Sequence, residues 1–490
     1  MSSAASSAPA NNRWPPQIKY IVGNEACERF SFYGMKGILV GYMTNQVLKG
    51  GLNMSDDKAT SIFHLFVFAN YFMPLLGAWL SDKIFGRYHT ILWVSLFYCL
   101  GHGVLAMSDL FTSVDGKFNL LCLGLSLIAF GAGGIKPCVS AFMGDQFKSD
   151  QSHLLQKAYG AFYWSINFGS FFSFIVIPRI REAHGYGWAF GVPGILMGIA
   201  TVIFWLGRKH YVRIPPTRES KRAGFFAVTW YALSHGSERK SGQKFWDVAR
   251  NKFTAEEVGA AKSVGPILSI FALIPAFWAL FDQSNSTWVL QGNKMVSITL
   301  NGFWKSAFGW FFGDQITAEN MQSANPVLVM LLVPLLTLVV YPLLKGRVTP
   351  LRRMGCGMFI AAFSYVIVGW LQQRIEAGEQ LSVAWQVLPY VFLTTGEVLI
   401  SATGLEFAFT QAAPEMKSTI MSFWLLTVAV GNALVSIITS VLSGEAGGHS
   451  GAVSSGRFFL YAGMTGVVGV LFVLIAMCYR YREQSASTSK

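Results

Sequence analysis

The sequence predicts an all-α membrane protein of twelve transmembrane helices, arranged as two six-helix bundles around a central cavity. Three observations carry that prediction. Only 13% of the 490 residues are charged and 52% are hydrophobic, with a mean hydropathy of +0.42, whereas a soluble domain carries about 25% charged residues. Apolar runs of bilayer-spanning length, about 20 residues each, recur twelve times along the chain. A single long polar stretch, 207–262, separates them into two sets of six.

In order, the runs lie near 20–47, 60–81, 89–107, 118–143, 158–178 and 187–206, then 264–290, 326–345, 354–371, 384–411, 418–443 and 457–479. The chain therefore divides into a 1–19 tail, a first bundle over 20–206, a linker over 207–262, a second bundle over 263–480 and a 481–490 tail. The first nineteen residues are rich in Ser and Ala, with Trp14-Pro15-Pro16. They lack the apolar core and cleavage site of a signal peptide and read as a tail. The linker holds twelve Lys and Arg and one apolar patch, Phe225–Leu233, too short to cross. With linker and both termini in the cytoplasm, 26 of the 38 Lys and Arg lie inside and 9 outside, the bias that orients multi-pass proteins. The net charge of +13 is then a topological signal and not a nucleic-acid surface, and the expected location is the plasma (bacterial inner) membrane. Cys27, Cys99, Cys122, Cys138, Cys356 and Cys478 sit in apolar runs without CxxC spacing and read as free thiols.

The first run is the anomaly, because it carries Glu25, Glu28, Arg29 and Lys36. Helical spacing places these four toward one side. A charge near the bilayer centre costs at least about 2.5–3.5 kcal/mol. Four survive only by facing a protein interior or watery cavity and pairing with one another. His64, Lys136, Asp282 and Glu397 also fall well inside runs. The acids Glu25, Glu28, Asp282 and Glu397 outnumber Arg29, Lys36 and Lys136 by one. Burial disfavours the charged form of an unpaired carboxylate, so such a cavity can accept a proton. His64 is a candidate relay, since imidazole titrates near neutrality.

Depth suggests a gate. Lys36 and Asp282 each lie roughly 16 residues into helices that enter from the cytoplasm, which puts both in the outer half at about 1.5 Å per residue. Lys136 and Glu397 are the matching candidates lower down. Lys136 follows Gly131-Ala132-Gly133-Gly134 and precedes Pro137, a pattern that suits either a bend or close helix packing. Tyr33, Tyr71, Tyr163, Asn167, Trp278, Asn325 and Trp424 are polar or aromatic positions within runs and candidates to line the cavity. Between the second and third runs, Gly77-Ala78-Trp79-Leu80-Ser81-Asp82-Lys83-Ile84-Phe85-Gly86-Arg87-Tyr88 resembles the cytoplasmic motif of the major facilitator superfamily. Asp82 and Arg87 are placed there to pair with helix ends and latch one conformation. The chain has no phosphate-cradling glycine loop, no metal-ligand spacing and no nucleophile–His–acid pattern. That points away from an enzyme, a metal or a cofactor, and toward transport driven by an ion gradient, with the buried acids as sites for a proton.

Longer motifs extend the resemblance. Glu25-Ala26-Cys27-Glu28-Arg29-Phe30-Ser31-Phe32-Tyr33-Gly34, then Gly134-Ile135-Lys136-Pro137-Cys138-Val139-Ser140 with Asp145-Gln146, then Phe162-Tyr163-Trp164-Ser165-Ile166-Asn167-Phe168-Gly169-Ser170 resemble three signatures of the proton-dependent oligopeptide transporters, a major facilitator branch. Phe277-Trp278, Asp282-Gln283 and Gly396-Glu397 fit its second half. The resemblance implies symport of di- and tripeptides with protons by alternating access. Glu25 and Glu28 would carry protonation and pair with Arg29. Arg29 and Lys136 would receive the peptide carboxylate, and Glu397 with Asn167 and Asn325 its amino terminus. The tyrosines and tryptophans would line side-chain pockets, Lys36 and Asp282 would gate the outside, and His64 falls where some members have a functional histidine. Two residues depart from the family pattern: Phe32 replaces a usual Tyr, and Lys36 a usual Arg, losing the bidentate fork. The linker has no room for the two extra helices of many bacterial members. The alternatives are another anion or drug carrier of the same fold, such as a nitrate transporter, or a membrane sensor or scaffold acting through the 207–262 loop.

Overall fold

The structure is a computed structural model, and it describes residues 13–148, 151–216, 223–239, 242–344, 348–413, 416–443, 451–479 and 481. Most of the expected 1–19 and 481–490 tails, and parts of the 207–262 linker, lie outside the described residues. The fold is helical, with one two-stranded ribbon. The chain forms two compact units, one of 1–38 with 73–218 and the other of 39–72 with 219–490.

The first unit contains the start of α1 (Ile18–Thr44), the end of α2 (Asp56–Leu80), α3 (Arg87–Ala106), α4 (Val114–Gly144) and α5 (Ser152–Leu206). Glycines let these helices touch backbone to backbone. A Cβ on Gly77 would sit 2.6 Å from Gly134 Cα and 2.7 Å from the Gly133 carbonyl oxygen. The Gly131–Gly134 run is thus a packing surface, with Tyr98 and Val94 of α3 against Gly131 and Gly134. α4 continues as one helix through Pro137. α5 runs for 55 residues but is broken at Gly185, whose φ of 83° and ψ of −178° only glycine adopts without strain.

The second unit contains the remainder of α1 and α2, a short helix α6 (Phe225–Ser234), and α7 (Ala255–Phe271), which opens with a Thr254–Glu257 capping box. After a 44° bend come α8 (Pro275–Phe281) and α9 (Thr287–Gly292), separated by a tighter turn over Asp282–Asn285. The ribbon, β1 (Ile298–Thr299) against β2 (Gln315–Ile316), carries α10 (Gly302–Phe312). α11 (Ala318–Met321), α12 (Ala324–Leu335), a π turn over Leu336–Val340 and α13 (Tyr341–Leu344) follow. α14 (Pro350–Glu376), α15 (Val387–Gln411), α16 (Lys417–Leu442) and α17 (Ser455–Cys478) complete it.

Residues 39–72 belong to this second unit, a division different from the boundary expected at 206/207. Hydrogen bonds account for it: Ser61 Oγ meets Ser436 Oγ at 2.9 Å, His64 bonds Asn432 and Ser286, and Asp57 accepts from the Ala452 amide.

Among the described residues nine helices are long and apolar enough to cross a membrane, and the bent pair Ala255–Phe271 with Pro275–Gly292 makes a tenth. The expectation of twelve spans includes two that this measure passes over. The 154–209 segment counts once at 56 residues, although at about 1.5 Å per residue it is far longer than one crossing and breaks at Gly185. α1 contains Glu25, Glu28, Arg29 and Lys36, more charge than a plain lipid-facing helix tolerates.

Candidate functional site

In the first unit Glu25, Glu28 and Arg29 of α1 pair with one another, as their spacing predicts. Arg29 Nε donates to Glu25 Oε1 at 2.6 Å and lies 3.0 Å from Glu28 Oε2. Both glutamates are buried, at 1% and 0% exposure, while Arg29 retains 12%. The ring of Tyr98, from α3, is fully buried and its hydroxyl lies beside the Glu28 carboxylate. Lys136 reaches the same site from α4. Its ammonium stands 4.3 Å above the ring of Phe32 and within electrostatic reach of Glu25. The departure at Phe32 therefore has a positive use: an apolar ring face holds the lysine by a cation–π contact. Two acids and two bases share a largely buried space.

Around this centre, Tyr33 packs edge-on against Phe174 at 5.8 Å and against Phe32 at 5.6 Å. Tyr163 is exposed, and Asn167 donates to the Tyr163 carbonyl at 3.0 Å, bonding its own helix. Lys36 is buried at 4% exposure on the same helix as the glutamates. Arg87 grips Asp145, at the end of α4, with Nη1 at 2.5 Å from Oδ1, and Asp82 lies in the adjoining π turn over Ser81–Phe85.

In the second unit Glu397 of α15 is held by Asn325 of α12. The Asn325 amide donates to Glu397 Oε2 at 2.7 Å and to Thr394 Oγ1 at 3.1 Å. Trp278 and Trp424 meet edge-to-face at 6.3 Å, and Phe271 packs edge-on against Trp424 at 5.2 Å. A Cβ on Gly404 would collide with the Trp424 ring, so only glycine admits it there. Trp278 is buried and its indole N–H has no partner among the described residues, a donor available to a bound molecule. Tyr71 is half-buried near the end of α2 that belongs to this unit.

The other cluster of this unit is built on the unwound turn between α8 and α9, where tightening of the helix turns Asp282 and Ser286 inward. Asn432 Nδ2 donates to Asp282 Oδ2 at 2.8 Å. Nδ2 also donates to the Val428 carbonyl oxygen at 2.9 Å, an atom that can only accept, which fixes the amide and leaves its oxygen for His64 Nδ1 at 2.7 Å. His64 Nδ1 therefore carries a hydrogen, and Nε2 faces Ser286 Oγ at 2.9 Å. Asn432, His64 and Ser286 are all fully buried.

The arrangement thus unites Glu25, Glu28, Arg29 and Lys136 in one unit. In the other it unites Glu397 with Asn325, Trp278 with Trp424, and His64 with Asp282. Sequence reasoning missed Asn432, Ser286, Tyr98 and Thr394. Asn432 carried a usable signal, being an amide in an apolar run like Asn167 and Asn325. Among the described residues no group of three or more His, Cys, Asp or Glu could hold a metal ion.

The sequence model of the POT family matches residues 88–451. Peptide transporter 3 of Caenorhabditis elegans is 38% identical over 377 residues, covering 74% of this chain and 51% of the relative. The chain spans about half the length of the curated relatives it matches. The crystal structure of an auto-inhibited POT family peptide transporter superposes with a TM-score of 0.84 at 39% identity, covering 96% of this chain and 98% of that one. That of the POT family transporter PepTSo does so at 0.82 and 40%, covering 95% and 99%. The fold is that of these transporters, and the chain belongs to the POT family.

Proposed function

We propose that this chain is a proton-coupled importer of di- and tripeptides, working by alternating access in the plasma membrane with both termini cytoplasmic. It performs no chemistry on its substrate and needs no cofactor. The observation that carries the reading is the charge balance of the first unit, where Arg29 and Lys136 face Glu25 and Glu28. A peptide carboxylate drawn to Arg29 and Lys136 brings a third negative charge to two positive ones. A buried site does not hold an uncompensated charge, so one proton must accompany the peptide. Glu28, whose ion pair with Arg29 is the longer of the two at 3.0 Å, is the assigned acceptor, with Glu25 remaining on Arg29.

The opposite end of a peptide zwitterion suits the second unit. Glu397, oriented by Asn325, receives the ammonium group, with Asn167 as a further amide partner. Tyr33, Tyr71, Tyr163, Trp278 and Trp424 supply apolar and aromatic surface for side chains of varied shape, and the Trp278 N–H is free to bond a peptide carbonyl. Lys36 and Asp282 are assigned to the outer gate, Lys136 and Glu397 to the inner one, and Asp82 and Arg87 to the conformational latch.

His64 links protons to the gate through hydrogen-bond direction. Once Nε2 also carries a hydrogen, both ring nitrogens donate. Ser286 must then turn its own hydrogen away, toward the Gln283 carbonyl at 3.5 Å. The charged imidazole pulls on Asn432, and Asn432 holds Asp282. Protonation on one side of the amide is thereby felt by the gate carboxylate on the other. No observation favours the nitrate, drug-carrier or sensor alternatives.

The test is uptake by purified protein in sealed vesicles under an inward proton gradient. Labelled dialanine should accumulate, unlabelled di- and tripeptides should compete, and tetrapeptides and nitrate should not. Accumulation without a gradient, or competition by nitrate alone, would refute the proposal.

A further inference from the structure

The helix α10 buries none of its residues, although six of the eleven are aromatic: Phe303, Trp304, Phe308, Trp310, Phe311 and Phe312. Phe303, Trp304 and Trp310 are 74%, 60% and 69% exposed. Successive residues turn by about 100° around a helix, so the six rings cover an arc of about 200°. Lys305, Ser306 and Gly309 occupy the rest. The rings stack along the helix, Trp304 on Phe308 at 5.8 Å and Trp310 on Phe311 at 4.2 Å. A contiguous apolar face of this kind outside a core marks a contact with a membrane or with another protein.

The root of α10 lies where spans of the second unit end. The chain enters the ribbon through Val296, whose amide donates to the Leu381 carbonyl at 2.8 Å and whose own carbonyl accepts from the Val383 amide at 2.9 Å. Residues 381–383 belong to the connection from α14 to α15, and Trp385 follows them. Trp385 meets Trp370 of α14 at 6.4 Å, and both rings are exposed. Exposed tryptophans at span ends form the belt that marks a membrane–water interface. Five residues separate Val296 from α10, at most about 20 Å of chain. Gly302 and Gly313, with φ of 52° and 78°, turn the backbone at either end of the helix. The aromatic face is thereby held close to the level of the belt.

We propose that α10 lies in the lipid headgroup layer as an interfacial anchor, with its aromatic face on the acyl chains and Lys305 and Ser306 toward water. Composition and position select lipid over a protein partner. Two Trp and four Phe with no Leu, Ile or Val is the makeup of a segment that settles at headgroup level, and the Trp370–Trp385 belt continues the same surface. Charge plays no part. Lys305 Nζ meets Asp314 Oδ1 at 2.9 Å, and residues 301–316 hold no other charged side chain, so a zwitterionic lipid suffices. Anchored there, α10 holds the end of the α8–α9 span at the membrane surface. The choice of leaflet rests on the orientation proposed above, and the contact itself does not.

The full chain, with the photoreactive residue p-benzoylphenylalanine in place of Trp304 or of Ser306, is reconstituted in palmitoyl-oleoyl phosphatidylcholine vesicles and irradiated. Mass spectrometry then identifies what each position has captured. The two positions lie about 200° apart around the helix, and both are exposed, so neither change disturbs packing. Position 304 should capture phosphatidylcholine on its acyl chains, and position 306 should lose most of that yield. With phosphatidylglycerol mixed into the vesicles, the adducts should divide between the two lipids in proportion to their amounts. Uptake does not enter the readout, so the result is independent of the transport reading. Equal lipid capture at both positions, no lipid capture at 304, enrichment of phosphatidylglycerol, or adducts at 304 that join two copies of the chain would overturn the proposal, the last by assigning the face to a protein contact.

Discussion

Replacing Asn432 by Leu removes the amide that joins His64 to Asp282 while keeping a side chain of similar size. The hydrogen bond to the Asp282 carboxylate, at 2.8 Å, is worth about 1.5–3 kcal/mol and the one from His64, at 2.7 Å, about 1 kcal/mol. Loss of even 2.5 kcal/mol from one conformer shifts a two-state equilibrium by roughly 70-fold. Dialanine uptake in vesicles should therefore fall by at least about tenfold, at about 1.4 kcal/mol per decade, and the acid limb of its pH profile should change shape. A double-mutant cycle with His64→Gln separates coupling from general damage. If the two side chains act through one line of hydrogen bonds, the double variant loses little beyond either single change, with an interaction energy of about 1–2 kcal/mol. Effects that add to within about 0.5 kcal/mol, or an Asn432→Leu pH profile that overlays the wild type, would refute the coupling.

Phe32→Leu removes the ring beneath Lys136 and should raise the dipeptide KM by roughly two- to thirtyfold, from a cation–π contact of about 0.5–2 kcal/mol. Phe32→Tyr should stay near the wild type. Asn325→Leu frees the Glu397 carboxylate and should weaken dialanine uptake by about tenfold or more, with a smaller effect on N-acetylated dialanine, as inhibition constants would reveal. Arg87→Gln breaks the pair with Asp145. As that pair is part-exposed, the expected loss is about 1 kcal/mol or less, read as a modest fall in transport rate with KM unchanged.

The sequence disclosed the architecture because membrane helices announce themselves by length and apolarity, and it singled out Glu25, Glu28 and Arg29 because charge inside such helices has few explanations. Glu25, Glu28 and Arg29 lie within one turn of helix, so their pairing follows from local geometry alone. Asn325 and Glu397 are 72 residues apart, and His64 and Asn432 are 368 apart. Nothing in either stretch specifies such a meeting. Gly131–Gly134 illustrates the same limit: the composition suited bending or packing, and only the Gly77 approach distinguishes them. The lysine-bearing ring of Phe32 was hidden because an aromatic residue in an apolar run is ordinary. The α10 ribbon went unseen because its strands are two residues long.

The central claim is that peptide and proton move together, and a pH-sensitive dye sealed inside vesicles tests it most directly. With equal pH on both sides, external dialanine should acidify the lumen of vesicles holding the wild-type protein. Glu28→Gln should let peptide exchange proceed with no acidification. Peptide entering the wild-type vesicles while the lumen holds its pH would contradict the account.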